Sequence, residues 1–277
     1  MGQTHQCGSL NDEERQGVRS VRLIYFSPTG TTRKVLEAIA RGFAADDPAR
    51  LDLTRQGTAD SMEIKSDFAI IGAPVYSGRV PLQAIEALQL VRARNTPAVA
   101  VAVYGNRAFE DALLELTDLA RQSGFRPVAA AAFIGEHSFS SPAAPIAEGR
   151  PDDEDIEKAV MFGKMIREKI DKGIAENVLV QVPGNVPYKK RNPAPPPSVT
   201  DEVSCIKCAN CVTICPAKAV TMQGETVLTD KARCMACCAC VKNCPSGARR
   251  MDPQLAERAA TLSCACCDRK EAQFFLL

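Results

Sequence analysis

The chain carries Cys205-Ile-Lys-Cys208-Ala-Asn-Cys211-Val-Thr-Ile-Cys215-Pro216 and, further on, Cys234-Met-Ala-Cys237-Cys238-Ala-Cys240-Val-Lys-Asn-Cys244-Pro245. Both stretches read C-x2-C-x2-C-x3-C-P, and every matching cysteine, with the proline, recurs at an offset of 29. Twelve of the 13 cysteines fall in the last 73 residues, eight of them at the matching positions of these two runs. The repeat specifies two copies of one thiolate arrangement.

Three close cysteines on a turning backbone can hold three irons of a cubane, and the fourth thiolate must come from elsewhere. The proline after the fourth cysteine stops the chain continuing as helix. Runs of this spacing are the ligand runs of bacterial two-cluster ferredoxins, where the fourth cysteine serves the other cluster. The pattern therefore predicts one [4Fe–4S] cluster on Cys205, Cys208, Cys211 and Cys244, and a second on Cys234, Cys237, Cys240 and Cys215. The crossing ties both halves together, so folding and cluster binding should be coupled. Zinc sites pair C-x2-C units across a longer gap, which does not account for two four-cysteine runs. Disulfides need an oxidising compartment, and with no signal-peptide pattern in view a cytoplasmic setting is expected. Cys238 stands out of phase with the ligands and reads as a small packing residue.

A length of 277 residues predicts two domains. Hydrophobic residues at 45% and charged residues at 24% are ordinary for a globular chain. A net charge of +1 gives no broad field for nucleic acid or a membrane surface. No apolar run approaches bilayer length, so no membrane span is expected. The absence of Trp and a total of 2 His argue against histidine-rich metal catalysis. Residues 1–19 are polar and aperiodic, and are expected to form a flexible extension. Met1-Gly2 starts like an acylation signal, but Gln6 stands where Ser or Thr belongs, and Cys7 reads as an incidental thiol.

Residues 20–174 alternate apolar strands with helical patterns. Strands are expected at Val21 to Phe26, Leu51 to Leu53, Phe68 to Gly72, Ala98 to Tyr104 and Val128 to Ile134. Helices are expected at Arg33 to Ala44, Leu82 to Leu90, Phe109 to Gln122 and Ile156 to Ile170, the last opened by the acids Asp152 to Asp155. This alternation implies a parallel sheet covered on both faces, with ligands at the carboxyl ends of the strands. At the first such end lies Ser27-Pro28-Thr29-Gly30-Thr31-Thr32. Taken alone, it reads either as a phosphate site at a helix N-terminus or as a Ser/Thr N-cap without ligand. It lacks the GKS or GKT of a nucleoside-triphosphate loop and the G-x-G-x-x-G of a dinucleotide loop. Gly72 to Pro81, with Tyr76, and Tyr104-Gly105-Asn106-Arg107 follow later strands on the same edge. Together the loops suit a phosphorylated, flat, aromatic ligand. Gly135 to Ser140 follows the fifth strand, and its His137 reads either as a proton donor or as a loop residue satisfied by backbone.

The hydroxyl loop resembles the FMN-phosphate loop of the flavodoxin family, with Leu36 where that pattern often has Ala. The resemblance implies a doubly wound, five-stranded parallel sheet. It also implies that Ser27, Thr29, Gly30, Thr31 and Thr32 hold the phosphate of FMN. Pro74, Val75, Tyr76, Ser77 and Gly78, and Tyr104, Gly105, Asn106 and Arg107, would flank the ring system. Tyr76 would stack, in a chain without the Trp that often covers one flavin face. Arg79 and Arg107 read either as cations beside the flavin or as solvated surface.

Residues 175–200 form a Pro-rich linker, expected to be stiff and extended. Residues 201–277 hold the cysteine runs in a small α+β ferredoxin domain, a helical pattern at Pro253 to Leu262, the triplet Cys264-Ala-Cys266-Cys267, and an apolar Phe-Phe-Leu-Leu end expected to dock on a domain surface. The whole order resembles the EFR-type flavodoxin–ferredoxin fusion family. The resemblance implies an electron-transfer protein with two [4Fe–4S] clusters and FMN, working with donor and acceptor proteins. Two other functions are open to the sequence. One is an FMN reductase of a quinone, a nitro compound or oxygen, fed by the clusters. The other is a redox-sensing module built on Cys264, Cys266 and Cys267.

Overall fold

A computed structural model of the chain describes residues 18, 20–45, 47–55, 61–173, 178–193 and 195–277. The expected N-terminal extension lies outside them except for residue 18, and so do Cys7 and the acylation-like start. The first part of the chain runs β1 (Val21–Tyr25), α1 (Thr31–Gly42), β2 (Ala49–Asp52), β3 (Met62–Glu63), β4 (Phe68–Pro74), α2 (Leu82–Leu88), β5 (Val91–Arg92), β6 (Thr96–Tyr104), α3 (Ala112–Gln122), β7 (Phe125–Ile134) and α4 (Asp153–Asp171). Strand existence follows the apolar runs. The expected strands stop two residues early at β4 and start three residues late at β7, because polar and proline positions there still fit the ladder.

Strands pair in parallel in the order β2-β1-β4-β6-β7. Numbering these five alone gives 2-1-3-4-5, the doubly wound order of flavodoxin-like sheets. Every residue of β4 is buried, as a strand covered on both faces requires. One core lies under α2 and α3, holding Ile24, Ile71, Leu113 and Leu116, and the other under α1 and α4, holding Leu23, Ile70, Ile39 and Phe162. α1 and α4 cross with their backbones nearly touching. A Cβ on Gly42 would sit 1.9 Å from the Val160 carbonyl oxygen, and one on Gly163 would sit 2.1 Å from that of Ile39. α4 opens on a capping box: Asp152 accepts from the Asp155 backbone N–H, and Asp155 accepts from that of Asp152.

The second part runs β8 (Val199–Thr200), α5 (Asn210–Thr213), β9 (Val220–Gln223), β10 (Thr226–Thr229), α6 (Ala239–Lys242), β11 (Arg249–Arg250), α7 (Pro253–Ala265) and β12 (Gln273–Leu276). The cysteine repeat is also a backbone repeat. α5 and α6 coincide at the offset of 29, and so do the left-handed pairs Lys207 and Ala236, Ala209 and Cys238, and Lys218 and Gly247. β9 pairs with β10 and β11 with β8, both antiparallel, giving a small ferredoxin-type α+β domain.

The apolar end does more than dock on a surface. β12 adds to the edge of the first sheet, antiparallel to β7, so that the sheet has six strands. Its period of two sends Phe274 and Phe275 to opposite cores. Phe274 stacks on Phe162 at 4.7 Å and meets Phe133 at 5.5 Å. Its partner residues Ala129 to Ala132 carry only methyl groups. Phe274→Ala should cost about 2 kcal/mol, below the range for a fully buried ring because Phe274 is half-buried. Urea unfolding checks this, and an unchanged midpoint contradicts the docked strand.

Candidate functional site

At the carboxyl edge of the sheet, four loops and the cysteine domain enclose one cavity of about 250 Å³. The loop after β1 contributes Thr29 and Thr31, that after β4 contributes Pro74 to Ser77, that after β6 contributes Tyr104, Gly105 and Arg107, and that after β7 contributes Gly135 to Phe139. The far wall is formed by Lys189, Asn192 and Pro195 from the linker, by Met235 and Ala236 from the second cysteine run, and by Arg258 and Leu262 from α7.

The hydroxyl loop is not a side-chain N-cap. α1 is capped by Gly30, in the left-handed region at φ 85°, with no side-chain hydrogen bond. Ser27 Oγ accepts from the Arg33 N–H at 3.1 Å, which folds the loop back over the helix start. Thr32 is fully buried and its Oγ1 has no partner. A buried hydroxyl left unsatisfied is costly, so the loop is built to complete its hydrogen bonding with something else.

The later loops divide. Tyr76 lines the cavity, and burial drives its phenol well above the usual range, with Cys237 nearby adding to the rise and a hydrogen bond with Ser138 opposing it. Tyr104 lies edge-on to Phe109 at 5.5 Å and also lines the cavity. Gly78 turns away from the cavity, at φ 79°, and a Cβ there would strike Glu110. Asn106 also points elsewhere. Its Nδ2 donates to the Cys266 and Asp268 carbonyls at 2.8 Å each, and its Oδ1 accepts from the Lys270 N–H at 3.2 Å. Asn106 therefore holds the C-terminal segment. Of the two arginines, Arg107 lines the cavity and pairs with Glu110 at 2.7 Å. Neither reading of Arg79 holds. It is buried against Glu115, with Nε to Oε2 at 2.9 Å, and Nη1 donates to the Lys189 carbonyl at 2.5 Å.

His137 lines the cavity with its ring 4.9 Å from that of Phe139. Its Nδ1 accepts from the Phe139 N–H at 3.0 Å, which places the proton of the neutral ring on Nε2. Burial, helped by Lys242, Arg107 and Arg258, lowers its pKa to about 4. Gly105 is required beside it, since a Cβ would lie 2.2 Å from His137 Cδ2.

The domains exchange side chains around the cavity. Met235 packs on the sheet-domain core, while Phe139 packs with Ala236, Cys238 and Leu255. Lys242 of α6 pairs with Glu136. The linker is pinned down: Arg191 Nη2 reaches Glu115 Oε1 at 2.9 Å, and the Lys189 and Asn185 N–H groups donate to Asp111. Cys238 is the buried packing residue its phase suggested. Cys266 is buried behind Asn106, while Cys264 and Cys267 are exposed. The far wall was invisible in the sequence, because spacing within a segment says nothing about which segment it meets.

Cys205, Cys208, Cys211 and Cys244 line one small cavity, shared with Arg249. Burial raises the pKa of Cys234 and Cys237, and the nearby Cys240 and Cys215 add to the rise in both, as Cys238 does for Cys237. Among the described residues, no three His, Cys, Asp or Glu converge as a single metal ion requires. The thiolates of a cubane bind separate irons and surround a volume.

Residues 198–245 match the family model of the 4Fe-4S dicluster domain. No curated protein matches the chain. The sheet domain is similar to a flavodoxin from the domain Archaea (14% identity, TM-score 0.35, covering 55% of this chain and 98% of that one). It is also similar to oxidised Flavodoxin 1 from Bacillus cereus (16%, TM-score 0.38, 54% and 99%) and to a flavodiiron core from Synechocystis (20%, TM-score 0.42, 58% and 38%). The strand order, and not these overall scores, defines the fold. No helix among the described residues is long and apolar enough to cross a membrane.

Because the folded pKa of His137 lies below that of the unfolded chain, the unfolded state binds more protons between the two values. His137 costs nothing above about pH 6.5 and destabilises progressively as pH falls toward about 4. Proton NMR of the oxidised protein should give a ring midpoint near 4. A midpoint at the ordinary value contradicts the buried, backbone-bound ring.

Proposed function

We propose that the chain is an iron–sulfur flavoprotein of electron transfer, passing single electrons between two [4Fe–4S] clusters and FMN and on to a redox partner protein. One observation carries this reading. The hydroxyl loop, the aromatic loops and the second cysteine run wall the same cavity. The EFR-type resemblance points the same way.

The residues fit the groups. Thr29 and Thr31 line the end of the cavity beside the helix start, and Thr32 supplies an unsatisfied hydroxyl beneath it, where a phosphate would accept hydrogen bonds from the backbone and the hydroxyls. Ser27 and Gly30 shape that loop. Tyr76 and Tyr104, with Pro74, Val75, Ser77 and Gly105, would hold the flat ring system. Arg107, Lys189 and Arg258 bring positive charge to that region, the first two shared with Glu110. Cys205, Cys208, Cys211 and Cys244 would hold one cluster, and Cys215, Cys234, Cys237 and Cys240 the other. Bound clusters supply one-electron transfer, and a bound flavin exchanges one electron or two.

The chain's own residues do the rest. Met235, Ala236 and Phe139 exclude water between the second cysteine set and the cavity. Tyr76 stays protonated, and the neutral His137 presents only Nε2–H as a donor. The closed wall on the cysteine side favours arrival of electrons from that side over entry of a second small substrate.

Anaerobically purified protein should carry about eight irons and one FMN per chain. Thr32→Val should weaken FMN binding about tenfold, the loss of one hydrogen bond to a charged group, and leave iron content unchanged. Fully metallated protein that refuses FMN would falsify the reading. Turnover of a quinone by the reduced protein without a partner would move it to the reductase.

A further inference from the structure

The offset of 29 that equates the cysteines also equates Val220, which opens β9, with Arg249, which opens β11. Both are 3% exposed. Val220 packs against Cys211 and Val227, an apolar setting. Its counterpart brings a guanidinium to the same depth in the other half. Arg249 Nη1 donates to Thr200 Oγ1 at 2.6 Å, and Nη2 donates to Thr229 Oγ1 at 3.0 Å and to the Ser198 carbonyl at 3.2 Å. Nη2 also lies 3.6 Å from Cys240 Sγ, and the Arg249 backbone N–H donates to Cys244 Sγ at 3.4 Å. Nε is buried with no partner.

Every oxygen that holds this group is neutral, and among the described residues no carboxylate pairs with it. A buried charge without a counter-charge is strongly disfavoured. The thiolates around it supply one. Arg249 lines the cavity of Cys205, Cys208, Cys211 and Cys244 and touches Cys240 of the other set. Resting on the two-cluster reading above, we propose that Arg249 sets the order of the two cluster potentials. Its guanidinium raises both, and raises most the potential of the set Cys215, Cys234, Cys237 and Cys240, which alone receives the side-chain N–H···S contact. Cys211, the counterpart of Cys240, shares a cavity with Arg249, but no guanidinium N–H donates to its sulfur.

A tetrathiolate cubane is a net anion, and accepting one electron from a donor adds a negative charge without making or breaking a bond. Arg249 stabilises that added charge, as charge and hydrogen bonds to sulfur do in clusters generally. Cys208 is exposed and Cys237 is buried beside the main cavity. The order set by Arg249 therefore draws electrons from the exposed set toward the set that walls the cavity.

The test is a dithionite titration of the holoprotein followed by electron paramagnetic resonance, in the wild type, Arg249→Val and Arg249→Lys. Arg249→Val gives this half the residue found in the other. It should lower the reduction equilibrium of the more positive cluster at least tenfold, about 59 mV for one electron, and shift the other cluster less. Arg249→Lys should recover at least half of that shift. Unchanged potentials in Arg249→Val with full iron content overturn the proposal. If Arg249→Val loses iron, Arg249→Gln decides: a lowered potential supports the role of the charge, and an unchanged one overturns it. A wild-type chain that never holds two clusters' worth of iron brings down the cluster reading instead.

Discussion

The return of the chain to its first sheet is the constraint on which the rest depends. Backbone hydrogen bonds between β12 and β7 make the last residues part of the domain that the chain left at α4. The cysteine domain is thereby held at both ends, by the linker on one side and by β12 on the other. A module tethered once explores a volume set by its linker. Tethered twice, and wedged by Met235 and Phe139, it has one position. That position puts the second cysteine run into the wall of the cavity at the strand ends.

Charge pairs sharpen the placement. Arg150 is bound by Asp155, with Nε to Oδ2 at 2.7 Å, and its Nη1 donates to the Lys270 carbonyl at 2.9 Å. Arg269 reaches Asp152 at 2.7 Å, and that contact holds the Asp152 carboxyl well below the usual carboxylate range. The capping box of α4 thus also receives the C-terminal segment. Glu115 does the same for the linker by accepting from Arg79 and Arg191. The buried pairs Arg150–Asp155 and Arg79–Glu115 add little net stability, since desolvation offsets their attraction, but separating either partner is costly, while the exposed Arg269–Asp152 pair is screened by water. They fix geometry more than they add strength.

How much of this was legible follows from what each signal reports. The cysteine spacing carried the domain repeat down to its left-handed residues, because each turn must aim a thiolate. The apolar runs gave the five parallel strands. The place of the hydroxyl loop at the cavity was legible in Thr29 and Thr31, but the unpartnered Thr32 hydroxyl emerges only from the packing. Asn106 and Gly78 were grouped with the cavity by adjacency in sequence, yet Asn106 serves the tail and Gly78 makes room for Glu110. Arg79 resembled a surface or flavin-side cation because nothing local announces Glu115, 36 positions away. The linker composition indicated stiffness and not the acids it would meet. Arg249 is the instructive case. It interrupts the repeat, and only burial shows that the interruption faces the thiolates.

The account rests on electrons passing within one chain, between centres whose relative position the β12 return has fixed. The most direct measurement is the rate at which bound FMN is reduced after rapid reduction of the clusters, followed over a range of protein dilution. A fixed internal path predicts a first-order rate constant that does not change with concentration. A rate that falls in proportion to dilution would mean that electrons travel between molecules, and the arrangement described here would not be the one that works.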